Sequence, residues 1–130
     1  MPSADKAFLV DSTKLERGEV WGETDEAVHW KGAFAVYGGH GATASSVIVY
    51  EIEPGKRLGW HADATEETQY IIAGTGKLYF EDGMRHDVEN TGNDTLRAVA
   101  FFAAAMFTQD FDQVMMPPKS HILGTPNREG

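Results

Sequence analysis

The sequence predicts an all-β protein built as an antiparallel barrel or sandwich. Short apolar stretches follow one another at close intervals, and turn signals such as Gly38-Gly39-His40-Gly41 separate them. The clearest stretch, Ser45 to Glu53, has the period of two that a strand imposes on its side chains. Because many short strands occur with little helix, a barrel or sandwich is the expected architecture.

Length and composition limit the protein class. A chain of 130 residues predicts a single domain over residues 1–130. The formal net charge of -9 disfavours nucleic acid as a partner, and the scattered basic residues disfavour a membrane surface. The chain has no cysteine, so any metal must be held by His, Asp, Glu or water. The first apolar run, Phe8 to Val10, is too short for a signal peptide, and we therefore expect a cytoplasmic protein.

The N-terminal part is expected to form an arm over residues 1–27. Ala7 to Val10 can make a short edge strand, and the apolar pair Val20-Trp21 can fix the arm to the sheet. From Val28 to Tyr37 the apolar residues follow a strand pattern, which begins the barrel. We expect the barrel to span residues 28–107.

The second half of the barrel is predicted to contain four further elements. The apolar stretches have strand character, and an Asp-Gly turn of the hairpin type follows the second of them. These elements are Thr68 to Ala73, Lys77 to Phe80, the short polar segment His86 to Asn90, and the buried strand Thr95 to Phe102.

A short helix and a tail are expected over residues 108–130. Asp110 is a candidate N-cap with Gln113 at the third helical position, which approximates a capping box. Phe111, Val114 and Met115 follow at helical spacing. Pro117-Pro118 would end the helix.

The stretch from Pro54 to Gly76 contains a candidate metal site. His61 and Asp63 are two residues apart, so in an extended segment they point to the same face, and Glu67 follows at the start of the next strand. Converging nitrogen and oxygen ligands are what a divalent metal requires. The alternative is that Asp63, Glu66 and Glu67 form a solvated acidic loop and that His61 is structural. Spacing alone leaves both interpretations open.

The same stretch resembles the first motif of the cupins, with Asp63 where a second histidine is usual. The tail of the second cupin motif is also present, but Glu81 stands where its proline is expected, and the segment between the motifs is shortened. The resemblance covers about Phe34 to Phe102. The matching residues are Gly55, five residues, His61-Ala62-Asp63, three residues, Glu67, six residues and Gly74, then Gly83, two residues, His86, three residues and Asn90.

The resemblance implies a cupin-type antiparallel β-barrel, which is jelly-roll-like, with a metal inside it. It makes His61, Asp63, Glu67 and His86 the ligands of a divalent ion, and this donor set favours Mn(II) or Fe(II). Glu66 is then the candidate carboxylate for moving protons. In an alternative alignment, Arg85 to Val88 form a loop before a lost segment, the second-motif histidine is absent, and at most three ligands remain.

The resemblance further implies a metal-dependent enzyme that acts on a small oxygenated or carboxylated molecule by dioxygenation, isomerisation or a lyase step. Two alternatives stay open: a non-catalytic module that binds a small molecule or a metal, and a degenerate barrel that has lost its site. Loss of a strand pair between the motifs would expose sheet edges, so we also expect a homodimer formed by edge pairing or strand exchange.

Overall fold

The computed structural model describes residue 7 and residues 9–126, and within them the regular secondary structure is almost entirely β. Short 3-10 segments occur at Ser12–Lys14, Gly38–His40 and Asp82–Met84. In the described residues no helix has the length and hydropathy needed to span a bilayer. The strands are β1 (Gly18–Gly22), β2 (His29–Val36), β3 (Ser46–Ile52), β4 (His61–Asp63), β5 (Glu67–Ala73), β6 (Gly76–Phe80), β7 (His86–Asn90), β8 (Leu96–Phe102), β9 (Thr108–Met116) and β10 (Ser120–Gly124).

The strands form one antiparallel sheet that curls back on itself. Their order is β5-β8-β3-β2-β1-β9-β4-β7-β6, and β10 pairs with β9. The two ends of this order, β5 and β6, are joined in the chain by Gly74-Thr75 but pair with different neighbours, β8 and β7. The chain therefore crosses from one side of the curled sheet to the other at this turn, and the core lies between the two sides.

Strands β3 and β8 carry most of the core. Their buried residues alternate with less buried ones, as the sequence predicts for Ser45 to Glu53. In their register the large side chains of β3 lie opposite small side chains of β8: Ile48 opposite Ala100, and Tyr50 opposite Ala98. This pairing places large side chains of one strand beside small ones of the other, which favours close packing.

The helix predicted in residues 108–130 is wrong, because that segment forms strand β9. Gln109 and Phe111 are buried while Asp110 and Asp112 are exposed, which is the period of two of a strand. Phe111 lies opposite His61 and Asp110 opposite Ala62 in the pairing of β9 with β4. Pairing with β4 thus overrides the helical spacing of the apolar residues.

The N-terminal segment contributes a strand to the sheet. Val20 lies opposite Trp30 of β2, and Trp21 lies opposite Met116 of β9, so the prediction that Val20-Trp21 fixes this segment is correct. In the expected strand at Ala7 to Val10, the three described residues are not in a strand, and Phe8 lies outside the described residues. With β1 and β9 included, the sheet extends beyond residues 28–107 on both sides.

Candidate metal centre

The four predicted ligands converge at one end of the curled sheet. His61 and Asp63 lie on β4, two residues apart, and therefore on the same face. His86 begins β7 and lies directly opposite His61, and Glu67 begins β5. His86 is thus part of the sheet, whereas the alternative alignment would place it in a loop.

The distances between these side chains are short. His86 Nε2 lies 3.3 Å from Asp63 Oδ2 and 3.2 Å from Glu67 Oε1, and His61 Nε2 lies 3.9 Å from Asp63 Oδ2. The ligand atoms of His61, Asp63 and His86 are all within 4.8 Å of one another. All four side chains are largely shielded from solvent. One ion could therefore contact nitrogen and oxygen donors from β4 and β7, and Glu67 of β5 lies beside His86.

Both histidines are oriented by backbone carbonyl groups. His61 Nδ1 lies 2.7 Å from the carbonyl oxygen of Gly59, and His86 Nδ1 lies 3.1 Å from that of Met84. Because a carbonyl oxygen only accepts, each Nδ1–H donates, which assigns the tautomer. In the neutral rings the Nε2 lone pairs are then available inside the cluster. A hydrogen bond from the other ring nitrogen is the usual support of a metal-binding histidine.

Two atoms in the cluster that could bind a metal are buried without a hydrogen-bond partner among the described residues. They are Asp63 Oδ2 and His86 Nε2, which approach each other closely but not in hydrogen-bond geometry. Buried polar atoms without partners are rare and cost free energy. A divalent cation would bind both atoms at once, so the residues present fit a metal.

The electrostatics of the cluster are strongly coupled. Burial opposes charging of His86, but the carboxylates of Asp63 and Glu67 outweigh it and raise the His86 pKa to about 10. Burial, reinforced by Asp63, raises the pKa of Glu67 to about 7. The pKa of Asp63 falls to about 2 despite burial, because His86 and other donors stabilise its charge. Burial lowers the pKa of His61. A metal-free cluster therefore holds a proton on His86 at neutral pH.

Sequence reasoning missed three polar residues around the cluster. Gln109 of β9 is buried, and its Nε2 donates a hydrogen bond of 2.9 Å to Asp63 Oδ1. The Tyr50 hydroxyl donates to Gln69 Oε1, and burial raises its pKa above the ordinary value. Gln109 and Phe111 alternate with Asp110 and Asp112 in the sequence. This period of two was the signal that could have placed Gln109 on a strand, facing inward.

Glu66, the predicted proton-transfer residue, lies outside this cluster. Its side chain is exposed at the mouth of the site, and its carbonyl oxygen accepts a hydrogen bond of 3.1 Å from the Ala103 amide. Glu66 directly precedes β5, which begins at Glu67. Glu66 is exposed to solvent and lines the adjoining cavity.

A cavity of about 610 Å³ adjoins the cluster. Asp63, Glu67 and His86 form its base, and Glu66 lies among its polar lining residues. Its other side is apolar and comes from β6 and the following 3-10 segment: Leu78, Phe80 and Met84. This volume is in the range of small-molecule sites.

Comparison with known proteins identifies the fold. No protein-family model matches the sequence, and no curated protein matches it. Among solved structures, a protein of Acidithiobacillus ferrooxidans assigned as a sugar phosphate isomerase superposes with a TM-score of 0.57 and 17% identity, over 77% of this chain and 76% of that one.

Oxalate decarboxylase of Bacillus subtilis, an enzyme with Mn(II) centres, superposes with a TM-score of 0.54 and 19% identity, over 71% of this chain. The match spans only 30% of the decarboxylase chain. These structures are cupins or cupin-like, so the predicted cupin-type, all-β fold is confirmed. At such low identity the likeness extends to the fold alone.

Proposed function

We propose that this cupin-fold protein is a metal-dependent enzyme that holds Mn(II) or Fe(II) with His61, Asp63, Glu67 and His86. It acts on a small oxygenated or carboxylated molecule, in the cytoplasm and as a homodimer. The observation that carries the proposal is the pair of buried donor atoms, Asp63 Oδ2 and His86 Nε2, that have no hydrogen-bond partner among the described residues.

The donor set favours these metals. Two imidazoles and two carboxylates bring roughly two negative charges, which match a divalent cation of intermediate hardness better than the soft, thiolate-preferring ions. The Mn(II) centres of the structurally similar oxalate decarboxylase support manganese. Once bound, the metal would supply Lewis acidity to a coordinated substrate oxygen.

The chain's own residues would position the substrate and manage its protons. The cavity admits a small molecule to the ligand side chains, while the buried strands exclude water from behind them. Glu66 at the mouth can exchange protons with solvent. Dioxygenation, isomerisation and lyase chemistry are all compatible with this arrangement.

One observation favours a second candidate, a binding module without turnover. Glu66 is the proton-transfer residue that the sequence indicated, and its exposed side chain lies outside the cluster. A site that binds a metal and a ligand without a positioned acid or base would serve as a sensor or store. Metal-loaded protein that binds small carboxylates without converting them would favour this second candidate.

The first experiment measures metal content and metal affinity. Purified, untagged protein is analysed by elemental mass spectrometry and titrated with Mn(II) and Fe(II), alongside His86→Ala and the control His40→Ala, which removes an exposed histidine. We expect near-stoichiometric metal in the parent and the control, and its loss in His86→Ala, because His86 joins both carboxylates. A parent that stays empty after incubation with both metals would refute the proposal.

The same titration should depend on pH. Since His86 carries a proton at neutral pH, metal binding must displace it, and above the Glu67 pKa of about 7 affinity should rise with pH by up to about tenfold per unit and level off near the His86 pKa of about 10. Below pH 7 the rise should be steeper, because Glu67 must then lose a proton as well. Calorimetry in buffers of different ionisation enthalpy should show release of at least about one proton. Binding without proton release would exclude His86 as a ligand.

A further inference from the structure

Two apolar side chains face the interior of the curled sheet and yet are exposed. Residues directly opposite each other in neighbouring strands share a face. Ile71 lies opposite the buried Ala98, and Leu78 lies opposite the buried Val88, so both point inward. Nevertheless, Ile71 is 43% exposed and Leu78 is 50% exposed. Their positions, rather than their exposure alone, require an explanation.

The exposure arises because β5 and β6 separate without pairing. The gap between them, which we call the trough, contains a cavity of about 190 Å³ lined by Ile71 and Leu78. Gln69 and Leu78 line this cavity and also the larger cavity at the metal residues, so the two adjoin. The trough therefore begins at the candidate metal centre and extends inward between the two strands.

The far end of the trough is closed by the turn that joins β5 to β6. A Cβ atom at Gly74 would lie 2.8 Å from Leu96 Cα, and one at Gly76 would lie 2.7 Å from the carbonyl oxygen of Glu89. Both glycines thus pack directly against neighbouring backbone. The trough is closed at this end and open at the end that holds the metal residues.

The chemistry of the trough changes along its length. Its closed end is lined by Ile71, Leu78, Val88 and Leu96, and Lys77 is the charged residue of the lining. Lys77 lies opposite Glu89 in the register of β6 with β7. Its open end presents His86 and the carboxylates. A molecule with an oxygen-donor head and an apolar chain is complementary to both ends, because the head can reach the metal residues while the chain covers the inward apolar side chains.

A second copy of the chain fits the trough less well. A copy that pairs along β5 would hydrogen-bond to the backbone edge of this strand and would leave Ile71 still facing β6. The side chains of Ile71 and Leu78 point between the two sides of the sheet, into a concave gap that suits a narrow chain better than a folded surface.

We propose that the site binds amphipathic carboxylates, with the carboxylate at the metal residues and an alkyl or aryl chain in the trough between β5 and β6. Placement of the head rests on the proposed function, since it needs the metal. Placement of the chain rests on the trough alone. The proposal therefore predicts that affinity is set by chain length as well as by the head group.

The test measures binding of acetate, butyrate, hexanoate and octanoate to the metal-loaded protein by calorimetry. We expect affinity to increase by up to about fourfold for each methylene that enters the trough, and then to level off when the trough is filled. Affinity that is the same for acetate and octanoate would overturn the proposal.

Matched variants test where the chain lies. Ile71→Gln should abolish the chain-length dependence and leave acetate binding unchanged. The control Ile72→Gln alters the next residue, which is 55% exposed and lines neither cavity, and should behave as the parent does. Leu78→Gln repeats the test from the opposite strand if Ile71→Gln fails to fold, as judged by circular dichroism. Equal effects of Ile71→Gln and Ile72→Gln would refute the assignment of the trough.

One further measurement separates the two proposals. Octanol carries the chain without the carboxylate, and its binding to metal-free protein reports on the trough alone. Octanol binding that Ile71→Gln removes, in a protein that takes up no metal, would support the trough and refute the metal site. Metal uptake with no effect of chain length would support the metal site and refute the trough.

Discussion

Asp63 occupies the position where the cupin pattern usually has a histidine, and Gln109 explains how this carboxylate is held. Gln109 Nε2 donates to Asp63 Oδ1, which leaves Oδ2 directed toward His86 Nε2. Asp63 and Gln109 lie opposite each other in the pairing of β4 with β9. A donor that fixes one carboxylate oxygen orients the other toward a metal.

Gln109→Leu should therefore weaken metal binding while preserving the fold. Loss of the hydrogen bond frees the Asp63 carboxylate to rotate, and we expect Mn(II) affinity to fall about 10–100-fold, as for other supports of metal ligands. The measurement is a metal titration with circular dichroism as the check on folding. Gln113→Leu is the control, because it makes the same change on the same strand. The Gln113 Oε1 has no hydrogen-bond partner among the described residues, so this substitution removes no hydrogen bond of that atom.

A second comparison distinguishes orientation of Asp63 from a general structural effect. In an Asp63→Ala background, Gln109→Leu should cause no further loss of affinity, because the carboxylate that it orients is gone. Independent losses that add in the double variant would contradict this role of Gln109.

At this scale, the resemblance to the cupin motifs predicted the residues that the structure brings together but not their supports. His61, Asp63, Glu67 and His86 lie within short stretches whose spacing is visible in the sequence. Gln109 is 46 positions from Asp63, and Gln69 is 19 positions from Tyr50. Such contacts depend on which strands become neighbours, and the period-two pattern within one strand does not specify its partner.

Among the elements, β9 shows why a short apolar segment is ambiguous. Phe111, Val114 and Met115 fit helical spacing, whereas Gln109 and Phe111 alternate with exposed aspartates as in a strand. The deciding factor is the partner: β4 is only three residues long and pairs along its full length with β9. The sequence pattern could predict the sheet but not this tertiary preference.

The turn that joins β5 and β6 gives a prediction for a single element. Gly74 has a φ of +91°, and a Cβ there would lie 2.8 Å from Leu96 Cα and 2.9 Å from the carbonyl oxygen of Thr95. Gly74→Ala should lower the free energy of unfolding by about 1–2 kcal/mol for the left-handed backbone, with about 1–3 kcal/mol more for the steric overlap. Urea unfolding at equilibrium measures the change.

Gly55 provides the matched control for this prediction. Its φ is +80°, but a Cβ there would meet nothing within 4 Å. Gly55→Ala should therefore show the backbone contribution alone. Equal destabilisation by the two substitutions would mean that the β5–β6 turn is not closely packed against β8.

At the scale of the whole molecule, three strands of the described residues pair on one side only, β5, β6 and β10, and an apolar outer face lies beside the β5 edge. In the described residues β5 pairs only with β8, and β6 only with β7. On the outer face next to the β5 edge, Tyr70 lies opposite Val99 and Phe101 lies opposite Thr68, and both aromatic rings are exposed. Free edges with apolar surroundings favour association with another strand.

This arrangement supports the expected homodimer through β5. The strand has no charged residue from Thr68 to Ala73, so two copies can pair in antiparallel orientation without bringing like charges together. Sedimentation equilibrium should give twice the chain mass of 14.3 kDa. Tyr70→Lys should yield a monomer because a lysine at the edge is repelled by its counterpart, whereas Ile122→Lys, which alters an exposed residue of β10, should remain dimeric. A monomeric parent, or a dimer that survives Tyr70→Lys, would exclude pairing through this edge.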